Sequence, residues 1–548
     1  AILYVCGHGR VKKDGVSYGN KVHYQHHGIW FARHGYVCLT IDTLQLGEIE
    51  GIHHGTYNHD MWWWNSRGYS SASVEAWNSI RALDYLETLD FVDKNRFGVT
   101  GRSGGGAYSW WISVLDERIK VSAPVAGITS LKNHVYAGFQ NSGRLAHGVV
   151  EGHCDSMFHV NTYRWDFDHI AALVAPRPLM ILNTDDDRIF PLDGVTDVFN
   201  SVRRIYDLHG QRTKLGLTIV PGGHSDTQPL QVPAFNWFNR HLKGEEGPIT
   251  VAAVKLFEPE QLKVFNELPA DSINADIQET FTQLADDKSK PSQKTVELLR
   301  AKTFRGWPAK ENSLNAKRAF STEYEGVVFE AIDFDSQEHI RLRAYIAYRK
   351  GLENPSRVDV EVLNEEYWNK YLKLGRPAFA DVWGEELKLA KIKADAPVTD
   401  KEQQAIEKRM AGVRKGDVVF VAFMPRGFGL SAMTQDERHI THSRRRFMLL
   451  GQTLAGMQVW DVRRCVRLVQ DLGYACPVTL WGYDTTSSQV ALAALFEQIA
   501  TVHVKGYPAN DKVQPDYLNI SRVATPAQIL ELTRQRSQVN VLDQKKKR

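Results

Sequence analysis

Cysteine is scarce in this sequence: five occur in 548 residues, at Cys6, Cys38, Cys154, Cys465 and Cys476, scattered and odd in number. None are spaced as C-x-x-C, so neither a disulfide framework nor a zinc site is expected to organise the fold. Long apolar runs are also missing, and nothing approaches the roughly 20 residues of a membrane span. Charge of one sign is nearly cancelled, at a formal +3. Neither a nucleic acid nor a membrane is therefore an expected partner, and the basic run at 545–548 reads as a solvated tail. An initial methionine is absent, as are the charged and apolar regions of a signal peptide; Ala1 opens a strand at once. Residues upstream are expected to be missing, so the compartment stays open, secretion or a periplasmic location included.

What is present is globular in kind, with 43% hydrophobic and 24% charged residues. The length predicts two domains rather than one core. From residue 1 to about 244, short β-prone runs at 1–6, 37–41, 97–100, 121–125, 179–183 and 215–220 alternate with helical segments near 22–34, 72–89 and 232–242. That alternation predicts an α/β fold with a doubly wound, mostly parallel sheet, whose ligands bind at the carboxyl ends of the strands.

Three polar groups follow three of these strands. After the run ending at Thr100 comes Gly101-Arg102-Ser103-Gly104-Gly105, a G-x-S-x-G between strand and helix. The pattern reads as a nucleophile elbow, in which glycine neighbours let the chain turn sharply and lift a serine above the sheet. A Gly-rich turn is the plain alternative. After 179–183 come Asp185, Asp186 and Asp187, and after 215–220 comes Gly222-Gly223-His224. Alone, the aspartates suit a solvated loop and the histidine a turn. In the order Ser, Asp, His, each at a strand end, they suit a catalytic triad: imidazole takes the hydroxyl proton and a buried carboxylate fixes the ring. Asp187 opens Asp-x-x-x-Pro and is the expected acid, with Asp186 the alternative. The oxyanion donors are expected to be the N–H groups of Gly104, at the helix start, and of Arg10, in the His8-Gly9-Arg10 loop after the first strand.

Together Gly101 to Gly106, Asp187 to Pro191 and Gly223-His224 resemble the acetyl xylan esterase and dienelactone hydrolase branch of the α/β-hydrolases, and the Trp62-Trp63-Trp64-Asn65-Ser66-Arg67-Gly68 run is similar to it too. The resemblance covers residues 1–244, starting at what would be the family's third strand. It implies a serine carboxylesterase acting on a small ester or acylated carbohydrate, with no organic cofactor and no metal. Trp62, Trp63, Trp64 and Trp110 are candidates for stacking on a substrate ring, although core filling accounts for them as well. Residues 127–170 form an insertion where a lid is usually placed; there Glu151 with His153 is a conceivable second acid or metal pair, and Cys154 a conceivable rival nucleophile without an elbow.

Residues 245–324 read as a connector. From 325 to 548 the pattern of the first half recurs, with runs at 418–423, 477–482 and 502–505 and a helix at 452–472. Two tandem α/β-hydrolase domains are thus expected, the second degenerate, because its elbow reads Gly482-Tyr483-Asp484-Thr485-Thr486, with aspartate in the serine's place. The alternatives are a serine peptidase of the prolyl oligopeptidase type and a non-catalytic carbohydrate-binding protein that keeps the fold.

Overall fold

The opening residues Ile2, Leu3, Tyr4 and Val5 are all buried, and they form an inner strand of a sheet. A computed structural model describes residues 1–136, 149–433 and 436–542. The middle of the expected lid insertion and the basic tail at 545–548 lie outside the described residues. The chain divides into unit 1, Ala1–Met61 with Tyr69–Thr282, and unit 2, Trp62–Gly68 with Gln283–Arg548.

In unit 1, strands β1 (Ile2–Val5), β2 (Cys38–Ile41), β3 (Phe97–Arg102), β4 (Ile119–Val125), β5 (Leu179–Thr184) and β6 (Leu215–Val220) form one sheet in the order β2-β1-β3-β4-β5-β6. Every pairing is parallel. Strand alternation sends Leu3 and Val5 to one face, where they meet Leu83 and Leu86 of helix α1 (Ser71–Glu87) and Tyr108 and Ile112 of helix α2 (Gly104–Leu115). Tyr4 points to the other face and stacks on His27, while Trp30 stacks on Phe235 at 3.7 Å. Helices on both faces bury the sheet twice over, which is why its strands carry continuous apolar runs. Helix α3 (Leu192–Leu208) buries only Val195, Val198, Val202 and Tyr206 among its large side chains, a single stripe at helical spacing.

The boundary lies at Thr282 rather than 244, because the chain after 244 runs back over unit 1. Trp30 Nε1 donates to the Val251 carbonyl, the Gln25 side-chain oxygen accepts from the Phe257 N–H, and the Glu48 carboxylate accepts from the Val264 and Phe265 N–H groups.

Unit 2 holds strands β7 (Lys317–Tyr324), β8 (Val327–Gln337), β9 (Ile340–Arg349), β10 (Arg357–Val362), β11 (Val418–Phe423), β12 (Val478–Tyr483), β13 (Thr501–Lys505) and β14 (Gln538–Leu542), in the order β14-β13-β12-β10-β11-β9-β8-β7. The stretch β11-β10-β12-β13-β14 is parallel and repeats the order β2-β1-β3-β4-β5 of unit 1. Beyond β11 the sheet turns antiparallel through β9, β8 and β7. Strand β7 falls inside the expected connector: as an edge strand it is mostly exposed, and its residues Lys317-Arg318-Ala319-Phe320-Ser321-Thr322-Glu323-Tyr324 give no apolar run to read. Among the described residues no helix is long and apolar enough to cross a membrane.

Candidate active site

Ser103 sits between β3 and α2 with φ 62° and ψ −121°. Backbone at positive φ costs a side chain-bearing residue about 1–3 kcal/mol, and surrounding contacts must hold it there. Two do so here. The Ser103 N–H donates to the Val125 carbonyl at the end of β4 (2.9 Å), and the elbow glycines pack on the end of β1, where a Cβ on Gly101 or Gly105 would fall on the carbonyl oxygen of Val5.

Three loops meet over this turn. His224 Nε2 lies 2.9 Å from Ser103 Oγ, and His224 Nδ1 lies 2.7 Å from Asp187 Oδ2. The second Asp187 oxygen accepts from the Ile189 and Phe190 N–H groups. With both oxygens engaged the carboxylate needs no water: Asp187 is 3% exposed, whereas Asp185 and Asp186 are exposed. Those two build the turn instead, since Asp185 Oδ1 accepts from the Gly222 N–H and the Asp186 N–H donates to the Gly222 carbonyl. With Nδ1–H donating to Asp187, the Nε2 lone pair faces the serine hydroxyl, the tautomer a general base requires.

The loop carrying His224 has a second anchor that the sequence did not reveal. Asp226 Oδ2 accepts from His26 Nε2 at 3.1 Å and His27 Nε2 at 2.9 Å, and Oδ1 accepts from Gln231 Nε2. Burial alone would raise the Asp226 pKa, but the two imidazoles hold it well below the usual carboxylate range. His26 and His27 lie about 200 residues away in sequence, so no local spacing could have announced them.

Ser103 and His224 open on a cleft of about 570 Å³ whose walls include His8, Arg10, His53, Arg102, Glu151 and Cys154. Arg10 lies on this wall, and Gly104 begins α2, where first-turn N–H groups have no intrahelical acceptor. Burial lowers the pKa of His8 to about 3 and that of His53 well below its ordinary value, so both rings are neutral at pH 7. His153 also lines the cleft, with Nε2 held by the Ile189 carbonyl.

Of the four tryptophans expected to stack on substrate, Trp110 belongs to unit 1 and is not on this wall, and Trp62, Trp63 and Trp64 belong to unit 2. Within unit 2, Trp62 lies under the Arg444 guanidinium at 3.6 Å, Trp63 lies beside Arg67, and Trp64 is 1% exposed. Trp110 is buried in α2. Their apolar area is used for packing, and the cleft's rings are those of histidines, Tyr24, Tyr57 and Phe190. Among the described residues, two clusters have donor sets able to hold a metal ion: His8 with His53 and Cys154, and His26 with His27 and Asp226.

Residues 53–210 match the sequence family described as "Glucuronyl esterase, fungi". Among solved structures, a carbohydrate esterase family 15 glucuronoyl esterase from Caldicellulosiruptor kristjansonii is similar with a TM-score of 0.33 and 18% identity, over 49% of this chain and 74% of that one. The hydrolase-like protein YtaP of Bacillus subtilis (strain 168) is 27% identical over 210 residues, 38% of this chain and 66% of the relative. A 4-O-methyl-glucuronoyl methylesterase of Phanerochaete carnosa (strain HHB-10118-sp) is 25% identical over 244 residues, 40% of this chain and 58% of the relative. The chain thus spans somewhat under two thirds of these curated relatives. By its strand order and elbow, unit 1 is an α/β-hydrolase domain, and in sequence it resembles the glucuronyl esterases.

Proposed function

We propose that unit 1 is a serine carboxylesterase that hydrolyses carbohydrate esters through an acyl-enzyme, with Ser103 as nucleophile, His224 as general base and acid, and Asp187 as the carboxylate orienting it. The observation that carries this reading is the continuous hydrogen-bonded chain from Ser103 Oγ through His224 to Asp187. His224 Nε2 accepts the hydroxyl proton as Oγ bonds to the ester carbon. The Gly104 and Arg10 N–H groups receive the charge on the carbonyl oxygen. The imidazolium then protonates the departing alcohol. Water repeats the sequence on the acyl-enzyme and frees the acid. Arg10 and Arg102 make the wall cationic, which suits an oxygen-rich or acidic sugar, and relatives whose names carry glucuronoyl esters favour a uronic acid as the acyl side. Unit 2 on this reading is a hydrolase-like domain without a hydrolytic site, since a carboxylate at Asp484 has no hydroxyl to activate.

The test treats the full chain and Ser103→Ala with a fluorophosphonate probe, then with p-nitrophenyl acetate, an acetylated xylo-oligosaccharide, methyl glucuronate and a peptide anilide. Labelling at Ser103 with cleavage of the sugar esters and no cleavage of the anilide is expected. Preference for the anilide would make the protein a peptidase, and absence of labelling would make unit 1 a binding domain.

A further inference from the structure

His8, His53 and Cys154 come from three separate segments, and each contributes one donor atom to a cluster whose atoms all lie within 4.8 Å of one another. His8 Nδ1 lies 3.3 Å from Cys154 Sγ. A tetrahedral zinc ion at ordinary bond lengths separates a sulfur and a nitrogen ligand by about 3.6 Å, so a shift of about 0.3 Å would bring this edge to the length a bound ion imposes. Both imidazoles also carry the outer partner that metal-binding histidines use to fix their tautomer. His8 Nε2 faces the Tyr108 hydroxyl at 3.4 Å, which leaves Nδ1 for the sulfur side. His53 Nδ1 is bonded to Ser156 Oγ at 3.0 Å, and Ser156 in turn to Ser71. That leaves His53 Nε2, which makes no well-aligned hydrogen bond although His53 is 1% exposed. Leaving such a nitrogen unsatisfied costs about 1–3 kcal/mol, a penalty that an ion would remove.

We propose that His8 Nδ1, His53 Nε2 and Cys154 Sγ form a site for one thiophilic divalent cation, zinc foremost, and that loading it inhibits hydrolysis at Ser103. Two imidazoles and one thiolate are a soft donor set that suits zinc and disfavours magnesium or calcium. As the zinc–sulfur bond forms, the Cys154 thiol releases its proton to solvent, and no oxidation is involved. With three protein ligands, the fourth position is left for water or an anion from the cleft, whose wall includes all three residues together with Ser103 and His224. Inhibition follows from one contact and one charge effect and rests on the reading of Ser103 as nucleophile. The His8 ring lies against Gly104, where a Cβ would fall on its ring atoms, so an ion holding His8 constrains the loop and helix start that are to carry the oxyanion donors. The ion's charge also opposes protonation of His224 in the same cleft.

Cobalt(II) titration of the metal-free full chain tests the site, because a thiolate ligand gives cobalt a near-ultraviolet charge-transfer band. One band saturating at one cobalt per chain is expected, abolished in Cys154→Ala, displaced by zinc and accompanied by release of one proton. Ser156→Ala, which unties His53, should weaken cobalt affinity roughly 10- to 100-fold. The site is overturned if the wild-type chain gives no band or if the band survives in folded Cys154→Ala. The inhibitory half is overturned if p-nitrophenyl acetate hydrolysis is unchanged when the cobalt band saturates. A chain inactive on every ester before metal is added fails the reading of Ser103 instead, and the cobalt titration still decides the site.

Discussion

Ser103 and Asp484 stand at the same bend of two sheets. Ser103 has φ 62° and ψ −121°, and Asp484 has φ 49° and ψ −109°. The Ser103 N–H donates to Val125 at the end of β4, and the Asp484 N–H donates to Lys505 at the end of β13. Two residues on, the elbows part company. In unit 1 Gly105 lets α2 press onto the Val5 carbonyl. In unit 2 Thr486 stands there, and its hydroxyl donates to the corresponding Val362 carbonyl at 2.8 Å while accepting from the Tyr483 N–H at 2.9 Å. A hydrogen bond thus replaces a bare contact. The strained bend is therefore a property of the fold, held by neighbouring strand ends, and survives with aspartate in the serine's place; what marks unit 1 is the pair of loops that bring His224 and Asp187 to it.

The sharpest break of this comparison is Ser103→Ala, expected to lower kcat by a factor on the order of 10⁶ with an unchanged melting curve. Adding Asp484→Ser to that variant should restore nothing measurable with p-nitrophenyl acetate. Restored turnover would show that unit 2 supplies a base of its own. Exchanging the second elbow residues comes next. Gly105→Thr should destabilise unit 1 by on the order of 4 kcal/mol, because the clash is with backbone that cannot rotate away. Thr486→Val should cost unit 2 only about 1–3 kcal/mol through a buried N–H and carbonyl left without their partner. Urea unfolding followed by hydrogen exchange reads both, and equal losses would refute the idea that the two elbows are locked differently.

A smaller effect is expected at Asp226, whose two imidazole partners tether the loop of His224. Asp226→Asn should lower kcat roughly 10- to 100-fold with little change in labelling stoichiometry at long times. An unchanged kcat would remove the anchor from the account. The smallest effect is with pH. Burial lowers His134 to about 4, so below about 6.5 the unfolded chain binds a proton that the folded chain refuses. Its contribution to stability is complete above pH 6.5 and falls by about 1.4 kcal/mol per pH unit down to about pH 4. His159, lowered likewise by burial, acts in the same direction. Amide protection in α3 and β5 of unit 1 should therefore drop from pH 7 to 5 more than in β12 of unit 2, and His134→Phe should reduce the drop. A larger drop in β12 would reverse the assignment.

Much of the fold was legible locally. Strands buried on both faces announce themselves as apolar runs, and the recurrence of 37–41, 97–100 and 121–125 as 418–423, 477–482 and 502–505 follows chain connectivity. Strand β10 offers no apolar run in the sequence because Asp359 and Glu361 interrupt its valines: Asp359 is buried against Arg357 and Glu361 pairs with Arg409. The tryptophan run was legible as aromatic supply but not as core, since composition is blind to which side of a helix meets solvent.

The sequence by itself determined the elbow, the order Ser, Asp, His and the loss of the hydroxyl at Asp484, because these depend on residue identity at positions that connectivity places at strand ends. The Asp-x-x-x-Pro pattern pointed to Asp187 with Asp186 as alternative, and the tertiary structure buries the Asp187 carboxylate against His224 while leaving Asp185 and Asp186 exposed. Only the tertiary structure gathered His26 and His27 onto Asp226, and His8 and His53 onto Cys154. Such contacts join residues tens to hundreds of positions apart, and packing, which no local pattern encodes, sets the distances between them.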